Sequence, residues 1–383
     1  MTKTPTQKRQ SGLTMIELLV ALTISLFMLS AIMIAYTTSK SGFAYANNTI
    51  KISEDASFAL EMIGRDVRMA GYAGCTGSNV VSNAGPPAVD FYTPKLDLVD
   101  AQVVTGTAKP NPFSGVVAGN LTQLFTSQNA IWGFPANNTA ALSVLGGSGT
   151  TYSKSTTDPI LYLAGGSTQA IQLSNAIATA TDDATIPTDT YKWGNNTNPT
   201  FLIIADCKGS EVFRASSLAG AGPVTIAHAA TDNDSASFSN TYGADAIVTP
   251  LTTSVYFIAT RSGANTPSLY VRQFDGSVAT VQELVPNVQA IAFNYGVNTS
   301  NTPGGEPTYR TDEYKTDPST VADWSRVVSV RVGLLMVSDD DSQAEAAGTS
   351  VSWLGGTYTP ASTDRRLRRA YSTTISIRNR MGL

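Results

Sequence analysis

From Gln10 to Ser39 the chain carries one charged side chain, Glu17, within an apolar run that opens at Leu13 and lasts to about Tyr36. About 24 residues wound as a helix cover about 36 Å, enough to cross a bilayer. Beyond the run, apolar residues thin out to Ile52, Ala56, Ala59, Ile63, Val67 and Ala70, a helical spacing that makes one stripe. No proline interrupts the chain between Pro5 and Pro86, and Gly71-Tyr72-Ala73-Gly74 supplies a stop. The pattern predicts one helix over 13–70, about 87 Å long. Its first half (13–40) is apolar on every side, and its second (41–74) is amphipathic.

After residue 75 the period changes. Short β-branched and aromatic runs, separated by turn residues, read as strands at 159–163, 201–204, 254–259, 268–272, 290–295, 327–336 and 371–377. In the longest, Val328, Val330, Val332, Leu334 and Met336 fall on one face. The economical arrangement is an α+β fold, with an antiparallel sheet packed on the second half of the helix. Residues 76–200 are poor in charge and rich in Gly, Ser, Thr and Ala, and are expected to form a large insertion in the β-rich body (75–383).

Charged residues make up 14% of the 383-residue chain, below the roughly 25% of soluble domains. The formal net charge of −4 sets up no strong field toward nucleic acid. Lys3, Lys8 and Arg9 precede the apolar run, which keeps the first residues cytoplasmic and puts the body beyond Lys40 outside. The two cysteines, Cys75 and Cys207, form no CxxC, so neither a zinc site nor a redox pair is supported, and no cofactor is expected. In an exported body they read as a disulfide. Closing a loop of about 130 residues would contribute up to roughly 5 kcal/mol in the chain-entropy account. Two buried thiols are the alternative.

A secretory signal peptide needs a small-residue cleavage site after its apolar run, and Ser30-Ala31-Ile32 and Ala35-Tyr36-Thr37 are poor versions of one. A plain anchor leaves Glu17 unexplained, because a carboxylate inside a spanning segment costs several kcal/mol without a partner.

Lys8-Arg9-Gln10-Ser11-Gly12 followed by Leu13-Thr14-Met15-Ile16-Glu17 resembles the processing site of type IV prepilins and pseudopilins. The resemblance implies a leader peptide (1–12), cleavage by the prepilin peptidase between Gly12 and Leu13, and N-methylation of Leu13. The formal charge then goes from −4 to −7 as Lys3, Lys8 and Arg9 are lost. Glu17 matches the family's membrane-embedded Glu, whose carboxylate neutralises the new amine of a neighbouring subunit. Leu13 departs from the commoner Phe or Met.

Further strings narrow the resemblance to PilW-type minor pilins. They are Phe58 to Tyr72 with Gly64-Arg65-Asp66-Val67-Arg68-Met69-Ala70-Gly71, then Gly74-Cys75 and Ala205-Asp206-Cys207. Glu283-Leu284-Val285-Pro286-Asn287-Val288, Trp324 ahead of Val330 to Leu335, and the ending Arg368 to Arg380 with Arg378-Asn379-Arg380 complete the set. The family implies a type IV pilin-like fold and a subunit that primes fibre assembly and sits at the tip, serving motility, adhesion and DNA uptake. It implies as partners the other minor pilins, the major pilin, the inner-membrane platform and a tip adhesin. The location is then the inner membrane and afterwards the pilus of a Gram-negative cell. Nucleic-acid binding stays open. A J-type pseudopilin of a type II secretion system is the alternative, as is an adhesin or DNA-binding module on a pilin stem.

Other chemistry is weakly signalled. His228 is the sole histidine and no GxSxG nucleophile motif accompanies it, so a structural subunit is expected and not an enzyme. Gly146-Gly147-Ser148-Gly149-Thr150-Thr151 lacks the GK[ST] ending of a phosphate loop. Asp339-Asp340-Asp341 lacks a full calcium-loop pattern and reads as a solvated turn. Arg365, Arg366, Arg368 and Arg369 form the one dense basic run, read first as solvated arginines ahead of the last strand and secondly as a phosphate contact.

Overall fold

The computed structural model describes residues 14–72, 74, 130–138, 145, 151–187, 201–206, 210–220, 222–229, 237–238, 240–276, 279–299, 310–322, 324–339 and 347–380. The chain divides into two compact units, Met1–Lys51 and Ile52–Leu383. A single α-helix, α1, runs Met15–Met69, within a residue or two of the expected span. In the first unit its large apolar residues from Met15 to Tyr36 are all exposed.

In the second unit eighteen strands follow α1 among the described residues. The first nine are β1 (Ile131–Phe134), β2 (Tyr152–Lys154), β3 (Ile160–Gly166), β4 (Ile171–Gln172), β5 (Ala184–Ile186), β6 (Phe201–Ala205), β7 (Ser210–Arg214), β8 (Ser217–Ala219) and β9 (Val224–Ala227). Next come β10 (Ile247–Arg261), β11 (Ser268–Phe274), β12 (Ala279–Val285), β13 (Val288–Val297), β14 (Glu313–Lys315) and β15 (Val327–Val337). A short hairpin, β16 (Val351–Trp353) and β17 (Gly356–Tyr358), precedes β18 (Arg368–Ser376). Every strand expected from the apolar runs is present. Within the span expected as an insertion, β1 and β3 are strands of the largest sheet, and β2 and β4 also pair with β10.

One sheet was expected against the helix, but the described residues of the body form four. The nine-stranded sheet has the order β1-β3-β10-β11-β12, with β2, β4, β6 and β7 joined to it through β10. The second main sheet is β14-β13-β15-β18, and β5-β9-β8 and the β16–β17 hairpin are smaller. All pairings among these strands are antiparallel. The division between the two main sheets lies in Pro286-Asn287. Asn287 sits at φ 62, the geometry that proline then asparagine favour in a type II turn. Thr266 Oγ1 donates to its side-chain oxygen at 2.7 Å. The chain thereby leaves the β11 ladder in β12 and enters the β15 ladder in β13.

The stripe on α1 is buried as expected. Ile52, Ala56, Ala59, Ile63, Val67 and Ala70 are each at most 4% exposed, in one core with Tyr256, Val271, Phe293, Val330, Leu334 and Ile375. Burying an Ile or Val here contributes about 1.5–3 kcal/mol. The alanines let the sheets approach closely, so enlarging them would strain the packing. One expected member of this core is out of phase. In β15 the register shifts so that Gly296 faces Ser329 while Val297 faces Val327. This bulge puts Val327 into the helix core in place of Val328, and Val328 is buried elsewhere.

Polar contacts fix the end of the helix. Asp66 accepts from Ser254 Oγ (2.7 Å) and Tyr256 Oη (2.8 Å), both on β10. Burial, and secondarily the Asp66 carboxylate, push the Tyr256 phenol well above its usual range, which keeps it a donor. Gly71, at φ +74, ends the helix and donates its N–H to Ala164 O at 2.8 Å. A Cβ on Gly165 would lie 2.8 Å from Met69 O, so only glycine allows β3 this close to the helix end. From the far end of the chain, Asn379 Nδ2 donates to Ala70 O (3.1 Å) and Met69 O (3.4 Å).

Asp66→Ala strands the buried Tyr256 hydroxyl and the half-buried Ser254 hydroxyl and is expected to destabilise the body by about 1–3 kcal/mol. Thermal unfolding of the detergent-solubilised chain measures it; a loss below about 0.5 kcal/mol would remove Asp66 as a fastener of the helix.

Candidate functional site

The first turn of α1 is built around Glu17. The helix opens with Leu18 N–H donating to Thr14 O at 3.2 Å. Glu17 reaches back, and its Oε2 accepts from Thr14 N–H (3.0 Å) and Thr14 Oγ1 (2.8 Å). This is one half of a capping box, with the N3 carboxylate on the N-cap amide. Among the described residues both partners of Glu17 belong to Thr14 and both use the same oxygen. A carboxylate so placed compensates the positive end of the helix and keeps an oxygen to offer a cation.

The stretch beyond it suits a low dielectric. Hydroxyls at Thr23, Ser25, Ser30 and Thr37 donate to carbonyls three or four residues back, at 2.8–3.0 Å. Polar side chains are thus satisfied within the helix, as lipid demands. The helix is long and apolar enough to cross a membrane, and none of its apolar window is buried in the protein.

Gly12 and Leu13 lie outside the described residues, as do Cys75 and Cys207. The neighbours of the cysteines are in place, however. Gly74, at φ +83, packs so tightly on β6 that an added Cβ would be 2.9 Å from Ala205 Cβ. The segments leading into the two cysteines are therefore adjacent.

The remaining candidates resolve into packing. Arg368 is buried, pairs with Asp364 at 2.6 Å, and lies over the Tyr358 ring at 5.2 Å. Arg366 is half-buried, so only Arg365 and Arg369 of the basic run are exposed. His228 is 4% exposed and stacks on Phe238 with centroids 4.0 Å apart. Its Nδ1 is 3.3 Å from Asp183. Among the described residues no cluster of His, Cys, Asp and Glu could hold a metal ion. Asp340 and Asp341 lie outside the described residues, as does the run 146–150.

Sequence reasoning missed the fastening roles of Asp66 and Asn379. Both stand in strings already noted for resemblance, and Asp66 sits beside Val67 of the buried stripe, where a carboxylate needs partners. Thr14 was also missed, although a threonine three residues before a glutamate is a capping signal.

Two family descriptions match. Residues 255–379 match Type IV Pilus-assembly protein W, a span running from within β10 through β18 and into the Arg378–Arg380 turn. Residues 7–33 match the Prokaryotic N-terminal methylation motif, which brackets Gly12, Leu13 and Glu17. No curated protein and no solved structure matches. One match falls on the start of the helix and the other on the strands that enclose its second half: over these two spans the chain is similar to type IV pilus-related, pilin-like proteins of the PilW type.

Proposed function

We propose that the chain is a minor subunit of a type IV pilus, cut between Gly12 and Leu13, methylated on Leu13, and drawn into the fibre by Glu17. The observation that carries this reading is Glu17 itself. It is the only charged residue from Gln10 to Ser39, on a helix segment whose apolar side chains are all exposed. A carboxylate there is costly in lipid, and a neighbour's N-terminal amine relieves the cost only on assembly. Its contact with Thr14 also supports the reading, because after the cut Thr14 is the second residue and the carboxylate lies beside the new terminus.

In this scheme the prepilin peptidase acts on the cytoplasmic side, where Lys3, Lys8 and Arg9 hold the leader, and the body lies in the periplasm of a Gram-negative cell. The inner-membrane platform, the other minor pilins and the major pilin are the assembly partners. The chain primes the fibre and takes its place in the tip complex with an adhesin. We further propose a Cys75–Cys207 disulfide, supported by the contact of Gly74 with Ala205, which would tie the end of α1 to β6 in an oxidising compartment.

The intact mass and N-terminal peptide of the chain from native membranes are expected to start at N-methyl-Leu13; a start at Met1 beside an active peptidase would reject prepilin processing. Glu17→Ala is expected to be processed normally yet to lose incorporation by about tenfold or more, the equivalent of at least about 1.4 kcal/mol. Incorporation at the native level would reject charge pairing. The same mass spectrum, with alkylation before and after reduction, is expected to show both cysteines protected until reduced; alkylation without reduction would remove the disulfide.

A further inference from the structure

Between the part of α1 that suits lipid and the part that the sheets enclose lies a stretch with neither support. The apolar run ends at about Tyr36, and the buried stripe starts at Ile52. Residues 37–51 are helical in between, about 22 Å of helix. None of their side chains is buried. The division of the chain into compact units falls at the end of the stretch, between Lys51 and Ile52.

The stretch does little to hold its own helix. Thr, Ser, Asn and Gly fill eight of its fifteen positions, and each is a weaker helix former than alanine. No acidic residue lies between Glu17 and Glu54, so Lys40 has no carboxylate three or four residues away. Ser41 Oγ donates to Thr38 O (2.9 Å) and Thr49 Oγ1 to Tyr45 O (2.8 Å), local bonds that bend and weaken a helix. Gly42 is the most telling residue. A Cβ there would meet no atom within 4 Å, so packing does not call for glycine. What glycine adds is freedom, since only proline destabilises a helix interior more. Even alanine-rich helices of this length are marginal by themselves.

We infer that residues 37–51 are a helical hinge: they open and re-form on their own while the spanning half and the packed half of α1 stay helical, with Gly42 as the softest point. The use of the hinge rests on the chain being an assembled subunit. A subunit that leaves the bilayer for a fibre exchanges one set of surroundings for another, and a rigid rod would make anchor and body change direction together. A hinge lets Glu17 reach its partner without turning the body with it. The flanks resist opening for separate reasons. Unwinding within lipid exposes unpaired N–H and C=O groups. Unwinding beyond Ile52 breaks the core and pulls Asp66 from Ser254 and Tyr256. Opening therefore stops at both ends of the stretch.

Hydrogen exchange of the full chain in lipid nanodiscs tests the opening. Amides of residues 40–50 are expected to exchange about tenfold or more faster than those of 20–33 and of 56–66. Equal protection along the helix overturns the inference. Stiffening tests the use. Gly42→Ala combined with Asn47→Ala and Asn48→Ala is expected to slow exchange over 40–50 by about tenfold or more, to be processed at Leu13, and to leave the melting of the body unchanged. Incorporation of this variant into fibres is expected to fall severalfold, whereas a merely weak piece of helix would be incorporated as well or better once stiffened. Adding Ala46→Gly softens the stretch again at a neighbouring exposed position and is expected to restore incorporation. Exchange unchanged by the three alanines, native-level incorporation of the stiffened chain, or a loss that Ala46→Gly does not restore each removes the hinge. A native chain that is processed but never enters fibres is a different failure, that of the subunit reading; it takes the use of the hinge with it, and the exchange comparison alone then decides whether the stretch opens.

Discussion

Everything in the body depends on one constraint: a single helix must satisfy two solvents along its length. Over its first half the helix is apolar and its large side chains are exposed, so it asks for lipid or other helices, and its one carboxylate, Glu17, is bonded to Thr14 at the helix start. From Ile52 onward the same helix offers a single narrow stripe, and two sheets close on it. Stripe residues combine bulky Ile or Val with alanine, so grip and close approach are both provided. Asp66 then fixes the rotation of the helix, because its carboxylate reaches the Ser254 and Tyr256 hydroxyls from one orientation only.

The two-sheet architecture follows from this stripe. A sheet of ordinary twist covers a helix on one side. To surround Ile63 and Val67 more fully the chain changes sheets, and it does so in two residues at Pro286-Asn287. Proline sets one dihedral and asparagine accepts the left-handed one, at little cost compared with a branched residue. The central strands β10 and β15 consequently bury both faces, with Tyr256 and Ile258 toward the helix and Val255 and Phe257 toward a second core.

Much of this was legible in the sequence because it is periodic. The helix limits, its stripe and seven strands follow from spacings of 3.6 and two, which local sequence states openly. The first-half helix and Glu17 were legible for the same reason, a single exception in a uniform run. What was hidden is what depends on partners distant in the chain. The Val327–Val328 bulge shifts the inward face by one residue, and no local pattern announces it. A second sheet was hidden too, since Pro286-Asn287 reads equally well as a hairpin. Arg368 looked like a solvated charge until Asp364 and Tyr358 came to meet it.

The cap supplied by Asn379 has a bearing on biogenesis. The last carbonyls of α1 receive their side-chain donor from a residue 309 positions later in the chain. Synthesis delivers the helix first and its side-chain cap 309 positions later, so the helix is made long before the domain it carries can lock. A subunit broken off early lacks the amide that closes the helix and shows the cell an open end at Met69 and Ala70.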